Sequence, residues 1–190
     1  TQPAVSAALR RLTTALGAMG NGLPALVGAC LAHGRRRTIG VDGDGGLQLN
    51  IQELQTIARL RLPVKLFVLN NDGYASIRTS QLRYFNRLAG ADATSGVTLP
   101  PLRGVVEAYG LPYALIESDR DLVARVRALL DAPGPMVIEV MTPREEPRAP
   151  SLASMRKPDG SMVSKPLEDL WPFLPREEFL ANMIIPPLPE

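Results

Sequence analysis

Three observations predict a doubly wound parallel α/β sheet with flanking helices. Short apolar runs alternate with amphipathic segments along most of the chain, which is the rhythm of βαβ units. Two of those runs, Thr38 to Val41 and Val64 to Leu69, each end in a turn of polar and glycine residues. These turns are Asp42-Gly43-Asp44-Gly45-Gly46 and Asn70-Asn71-Asp72-Gly73. A single amphipathic segment, Leu47 to Leu60, lies between them, so the turns belong to consecutive strands. A right-handed crossover returns parallel strands to one side. Asp44 and Asn71 are therefore predicted to meet in a crevice at one sheet edge, where open α/β sheets bind ligands.

Each element follows from its punctuation. Residues 1–16 are rich in Ala and Leu and receive no element. The glycine-dense Leu16-Gly17-Ala18-Met19-Gly20-Asn21-Gly22 reads as a turn that leads into an apolar helix, Leu23 to Ala32. Pro24 is tolerated in the first turn of that helix and Gly34 ends it. In the helix Leu47 to Leu60, the residues Leu47, Ile51, Leu54 and Ala58 form one stripe facing the sheet. Pro63 opens the strand Val64 to Leu69, whose apolarity, interrupted only at Lys65, suits burial on both faces. Residues 72–98 are polar and irregular, with a short helix around Ser76 to Arg83. Pro100 and Pro101 start a helix ending near Gly110. Tyr113 to Ile116 is a third strand, and Ser118 is expected to cap a helix with Leu122, Val123, Val126, Leu129 and Leu130 on its apolar face. Met136 to Met141 is the fourth strand.

The predicted domain runs from residue 1 to 142. Beyond it, residues 143–190 hold ten of the 18 prolines and little periodicity apart from a short helix around Arg176 to Met183. Such a tail is not expected to build a core of its own. Trp171 and Phe173 are costly to leave in water, so the tail is expected to dock on the domain or on a neighbouring subunit.

Composition excludes several classes. A hydrophobic content of 45% over 190 residues suits an ordinary globular domain. A formal charge of +2 argues against a nucleic-acid or membrane surface, and Arg35-Arg36-Arg37 is read as a solvated loop. No apolar stretch approaches the roughly 20 residues that span a bilayer. One cysteine, Cys30, leaves no internal disulfide and points to a reducing, cytoplasmic setting. The first residue is Thr1 rather than Met, as expected of a processed chain or a piece of a longer one.

The paired turns carry the chemistry. A carboxylate at Asp44, an amide oxygen at Asn71 and the backbone carbonyl of Gly73 are hard oxygen ligands. They suit a magnesium ion that also takes oxygens from a phosphorylated ligand. Gly45 and Gly46 leave backbone amides open at the start of the Leu47 helix, an anion site worth roughly 0.3 to 2 kcal/mol per charge. Metal and helix end together describe a diphosphate socket. An EF-hand is excluded because position 6 of the would-be loop is Leu47 and a strand precedes it. A dinucleotide fingerprint is absent, since the glycines fall at Gly40, Gly43, Gly45 and Gly46. A plain strand-to-helix turn with Asp44 as its cap is the remaining structural alternative.

Spacing carries the reading further. Gly43-Asp44-Gly45, then 24 residues, then Asn70-Asn71 resembles the diphosphate-binding signature of thiamine diphosphate enzymes. Gly17-Ala18-Met19-Gly20-Asn21-Gly22-Leu23-Pro24-Ala25 is similar to the G-x-M-G-x-G-L-P-A segment of their acetolactate synthase-like branch. The segments Gly46 to Leu54 and Leu69 to Tyr74 are similar to that superfamily as well. The resemblance covers about residues 15 to 140 and implies the diphosphate-binding domain of that fold. It implies that Asp44, Asn71 and the Gly73 carbonyl hold magnesium. By the same likeness Gly43, Gly45, Gly46 and Leu47 meet the diphosphate, and Tyr74 edges the cofactor site. Gly17 and Met19 would address the aminopyrimidine, with the Met19 side chain enforcing the cofactor's bent shape that proton transfer at C2 requires.

The family's activating glutamate lies on a pyrimidine-binding domain, and nothing in this sequence resembles that domain. Glu53 falls in the diphosphate-domain helix and is no substitute. The chain is therefore expected to be half of an active site, completed by a further domain or a partner subunit in a homo- or hetero-oligomer. FAD would belong only to a domain outside this sequence. In the pyruvate decarboxylase branch an acid follows the Asn-Asn turn; here Tyr74 continues as Ala75-Ser76-Ile77-Arg78. That favours carboligation between a 2-keto acid and a carbonyl acceptor over simple decarboxylation. Ile77 and Arg78 are then expected to line the acceptor site, with Arg78 holding a carboxylate or phosphate. A simple 2-keto acid decarboxylase, or a non-catalytic assembly or regulatory subunit, are the competing readings. Cys30 and His33 supply too few ligands for a metal and are assigned to packing.

Overall fold

A computed structural model describes residues 18–146, 149–157 and 159–187. The chain divides into two compact units, residues 1–145 and 146–190. Four strands make the sheet of the first unit: β1 (Thr38–Gly43), β2 (Val64–Asn70), β3 (Tyr113–Ile116) and β4 (Met136–Met141). They are ordered β1-β2-β4-β3, and every pairing is parallel. The doubly wound parallel sheet expected from the alternation is the one observed.

Helix α1 (Gly22–Ala32) buries Leu23, Leu26, Val27 and Cys30. Its Leu26 lies against Gly40, where an added Cβ would come within 2.5 Å of the leucine Cδ2. The alternate residues Val64, Leu66 and Val68 of β2 share one core with α1, with Leu54 and Ile57, and with Leu102 and Val106. The opposite sheet face leaves Ile39, Val41 and Leu69 exposed. Lys65, also on that face, is fully buried, and its Nζ donates to the Ala132 carbonyl at 2.7 Å. Burial, and secondarily the nearby Arg37 charge, push the Lys65 pKa down. Arg37 donates to the Leu130 carbonyl, so two cations cap the end of helix α6 (Leu122–Asp131).

Two elements depart from the sequence reading. The helix expected over Leu47 to Leu60 is two helices, α2 (Asp44–Gln48) and α3 (Glu53–Leu60). Between them the chain tightens into i→i+3 turns: Leu49 bonds Gly46, Asn50 bonds Leu47 and Glu53 bonds Asn50. Asn50 turns its side chain outward, and its Nδ2 donates to the Gly20 carbonyl at 2.7 Å. The predicted stripe survives the break, because Leu47 and Leu54 are buried and Ile51 and Ala58 pack against the core. Ser118 does not cap α6. That helix starts at Leu122, after Asp121 in a left-handed conformation, and no side chain caps it. Its Leu122 and Val123 stay exposed.

The second unit has structure that its proline content concealed. Strands β5 (Ser154–Arg156) and β6 (Met162–Ser164) pair antiparallel, and α7 (Arg176–Ala181) buries Phe179. Asp169 is buried and takes two bonds from Arg176, at 2.6 and 3.0 Å, with Lys165 at 3.7 Å. Polar pairing thus supplements the small apolar core of this unit. Trp171 is half-buried and exchanges backbone bonds with Ser151. No helix among the described residues is long and apolar enough to cross a membrane.

Candidate functional site

The site forms where β1 and β2 end together. Asp44 is the first residue of α2, and its side chain is buried beside the turn that follows β2. Asp44 Oδ2 accepts the Gly73 amide at 2.9 Å, and Oδ1 accepts the Gly45 amide at 2.9 Å. The crevice predicted from the paired turns therefore closes through a direct bond between them. Burial pushes the Asp44 pKa up, while the amides of Gly73, Gly45 and Asn71 and the Arg78 charge oppose that shift. A carboxylate has about four lone-pair sites, so both oxygens keep acceptor capacity beyond these bonds.

The glycines around Asp44 are there for close approach. An added Cβ at Gly45 would lie 2.5 Å from the Tyr74 ring, so that ring packs directly against the start of α2. An added Cβ at Gly46 would lie 2.7 Å from Asp42 Oδ1. Asp42 Oδ2 is buried with no hydrogen-bond partner among the described residues, and burial pushes this carboxyl's pKa up.

The turn after β2 is held from three sides. Asn70 Nδ2 donates to Glu139 Oε1 at 2.5 Å, and the Asn70 carbonyl accepts from Thr142 N and Oγ1. Glu139 is itself buried and also accepts from the Tyr113 hydroxyl. Burial first, then that bond to Glu139, push the Tyr113 pKa strongly up. Asn70 Oδ1 accepts the Asp72 amide, which sets Asp72 at φ 62 and Gly73 at φ 125. Arg78, on helix α4 (Ala75–Phe85), donates to the carbonyls of Asn71, Asp72 and Arg144 and to Asn71 Oδ1. The substrate-facing position expected for Arg78 is not the one found: the side chain is 7% exposed and turned under the turn. Ile77 is half-buried, and neither residue lines the cavity at the sheet edge. That cavity measures about 280 Å³ and is bounded by Asp44, Gln48, Asn70, Asp72, Glu139 and Arg103 among polar residues; of the three expected metal ligands Asp44 lines it, and Asn71 and Gly73 do not.

The loop that covers the turn is organised by Asp92. This buried carboxylate accepts from Thr94 N and Oγ1, from Ser95 Oγ, and from Arg144 at 2.7 Å. The Thr94 bonds foremost, then Ser95 and Arg144, hold its pKa at about 2, against an ordinary 3.8. A carboxylate with a depressed folded pKa stabilises fully above its unfolded value. That contribution is lost as the pH falls from about 3.8 towards about 2. Asp92→Asn is therefore expected to lower the melting temperature near neutral pH, with the gap to wild type closing across that acid window. Thermal melts of both proteins along a pH series check it.

Met19 is half exposed rather than packed in the core. The Asn50 bond to Gly20 pins its turn against the link between α2 and α3. Gly17 lies outside the described residues. Cys30 is buried in α1 with its thiol towards the Arg36 carbonyl, and His33 is exposed at the helix end. Sequence reasoning missed Glu139, Tyr113, Asp92 and Arg144. Glu139 was detectable, because one acid within the apolar run Met136 to Met141 must find partners when buried. Asp92 was detectable as well, since Asp-x-Thr-Ser is a local capping pattern.

Residues 5–140 match the thiamine pyrophosphate enzyme, C-terminal TPP binding domain. The chain belongs to the thiamine pyrophosphate-dependent enzymes and carries their acetolactate synthase-like C-terminal domain. It is 35% identical over 144 residues to chloroplastic acetolactate synthase 2 of Nicotiana tabacum, and 35% identical over 144 residues to chloroplastic acetolactate synthase of Arabidopsis thaliana. Similarity to the acetolactate synthase large subunit of Pyropia yezoensis is 33% over 139 residues. These alignments cover 73% of this chain and 22 to 23% of each relative, so the chain spans about a fifth of the proteins it matches.

Proposed function

We propose that this chain is the diphosphate- and magnesium-binding part of a 2-keto acid carboligase dependent on thiamine diphosphate. The observation that carries the reading is the bond from the Gly73 amide to Asp44 Oδ2, which brings the two halves of the oxygen ligand set together. Among the described residues no group of three His, Cys, Asp or Glu side chains could hold a metal. The site offers one carboxylate, one amide oxygen and one backbone carbonyl. Such a partial set fits magnesium, which binds through few protein oxygens and fills its octahedron with water and phosphate oxygens. Of the amides expected to meet a diphosphate, those of Gly43 and Gly45 are taken here by Asp42 Oδ1 and Asp44 Oδ1, at 2.8 and 2.9 Å, so a diphosphate would be received first at Gly46 and Leu47, with Tyr74 bounding its site.

Thiamine diphosphate, when bound, supplies the electron sink for loss of carbon dioxide from a 2-keto acid. The residues of this chain do the holding: Asp44, Asn71 and Gly73 the metal, α2 the diphosphate, and the turn at Gly17 and Met19 the aminopyrimidine end. Half of the Met19 surface is free, which supports a role for it under a bent cofactor. A glutamate from a pyrimidine-binding domain or partner subunit completes the site, and the working protein is an oligomer. The buried free thiol of Cys30 fits a reducing, cytoplasmic setting.

The absence of an acid after Tyr74 favours transfer of the acyl carbanion equivalent to a carbonyl acceptor over simple release of an aldehyde. The test is product analysis with pyruvate, magnesium and thiamine diphosphate, after this chain is assembled with its pyrimidine-binding half. Acetolactate or an acyloin is expected. Acetaldehyde alone would replace carboligase by decarboxylase, and no turnover together with no cofactor binding would leave a scaffold subunit.

A further inference from the structure

The geometry points to Arg78 as the positioning residue of the metal-binding turn, a buried cation that holds the Asn71 side-chain oxygen and the turn's carbonyls in one arrangement. This inference rests on the magnesium-diphosphate reading of Asp44, Asn71 and Gly73. A guanidinium is planar with five N–H donors in a fixed fork, so it can hold several acceptors in one geometry. Here Nη2 donates to the Asn71 carbonyl at 2.7 Å, to Asn71 Oδ1 at 3.2 Å and to the Arg144 carbonyl at 3.0 Å. Nη1 donates to the Asp72 carbonyl at 3.0 Å and faces Asp92 at 3.8 Å.

Two consequences follow for the turn. A donor beside Asn71 fixes the oxygen of its amide, not the NH2, on that side, and the oxygen retains a second lone pair for a metal. Asp72 has φ 62, a conformation that a residue with a side chain rarely adopts, so the turn needs holding. Arg78 grips the carbonyls on both sides of that strained residue's amide. Its counter-charge is the buried Asp92, and Arg144, which shares that carboxylate, also pairs with Asp72 at 3.3 Å. Burial beside a cation site would otherwise be unfavourable for both charges.

Lysine in place of Arg78 keeps the charge but has one nitrogen, which cannot bridge the four acceptors. Magnesium titrations of thiamine diphosphate binding, with melts taken without ligand, separate positioning from folding in the enzyme assembled with its pyrimidine-binding half. Arg78→Lys is expected to raise the half-saturating magnesium concentration about 10- to 100-fold, the usual cost of losing an outer-shell partner of a metal ligand. Gly110→Ala, with nothing within 4 Å of its added Cβ, is expected to lower the melting temperature while leaving that concentration within about threefold of wild type. Should Arg78→Lys fail to fold, the double variant Arg78→Leu with Asp92→Asn reduces the charge imbalance and is read the same way. A magnesium requirement within about twofold of wild type in either Arg78 variant overturns the inference, as does an equal shift in Gly110→Ala. Asp44→Ala run alongside distinguishes the two levels. If it too leaves magnesium dependence unchanged, the metal reading fails and this inference with it; if it alone abolishes binding, only the role of Arg78 is lost.

Discussion

Asp44→Ala is expected to abolish magnesium-dependent binding of thiamine diphosphate, a loss of at least about 100-fold, beyond what outer-shell changes cost. Asp44 is the carboxylate in the proposed ligand set. The same side chain joins the two turns, through Gly73 on one oxygen and Gly45 on the other. Alanine removes the charge and leaves two amides without their acceptor in a buried place, so both metal affinity and the local fold suffer. Asp44→Asn separates these effects in part, because it removes the charge and keeps an acceptor for one amide while turning an NH2 towards the other. In the absence of ligand its melting temperature is expected to lie between those of Asp44→Ala and wild type. In the presence of magnesium and thiamine diphosphate the gap to wild type is expected to widen. Calorimetric titration and paired melts of the assembled enzyme measure both. Retention of binding within about threefold in Asp44→Ala would remove the metal site from the proposal.

Much of the fold was legible because parallel sheets write themselves plainly. Strands such as Val64–Asn70 and Met136–Met141 are short apolar runs between breakers, and their limits in the structure differ from the sequence reading by no more than a residue. The helix between the turns was legible as a buried stripe but not as a broken rod. Its break depends on Asn50 reaching Gly20, a contact 30 residues apart that periodicity cannot encode. The same limit explains Arg78. An arginine after a glycine turn is read locally as a cation facing a substrate anion, while its real partners include the Arg144 carbonyl and the Asp92 carboxylate, distant in sequence. Long-range polar pairing also built the second unit, where proline density suppressed any periodic signal. Motif residues at strand ends are legible because chain direction alone assigns them to one edge; the groups that orient them come from other strands and loops that only the folded chain brings together.

Gly73→Ala is expected to cost roughly 3 kcal/mol or more of stability and to weaken magnesium binding with it. Two independent effects add. At φ 125 the backbone is in a region that side chains rarely enter, a strain of about 1–3 kcal/mol. An added Cβ would also stand 2.5 Å from the Ala91 carbonyl oxygen, and 3.3 Å from the Asp92 Cα. Those neighbours are backbone, so relief requires the whole 90–95 loop to move. That loop is tied to the turn by the Tyr74 amide, which donates to the same Ala91 oxygen at 2.8 Å. Displacing it strains the Gly73 bond to Asp44, the link on which the proposed metal site depends. Gly110→Ala provides the internal control. Gly110 has φ 68, yet nothing lies within 4 Å of an added Cβ, so only the conformational penalty of about 1 kcal/mol remains. Denaturant melts of the two variants, together with magnesium titrations of the assembled enzyme, test the difference. If Gly73→Ala costs no more than Gly110→Ala, the close approach of Ala91 is not what makes glycine necessary there. If it is costly but binds magnesium as well as wild type, the turn's geometry is decoupled from the metal.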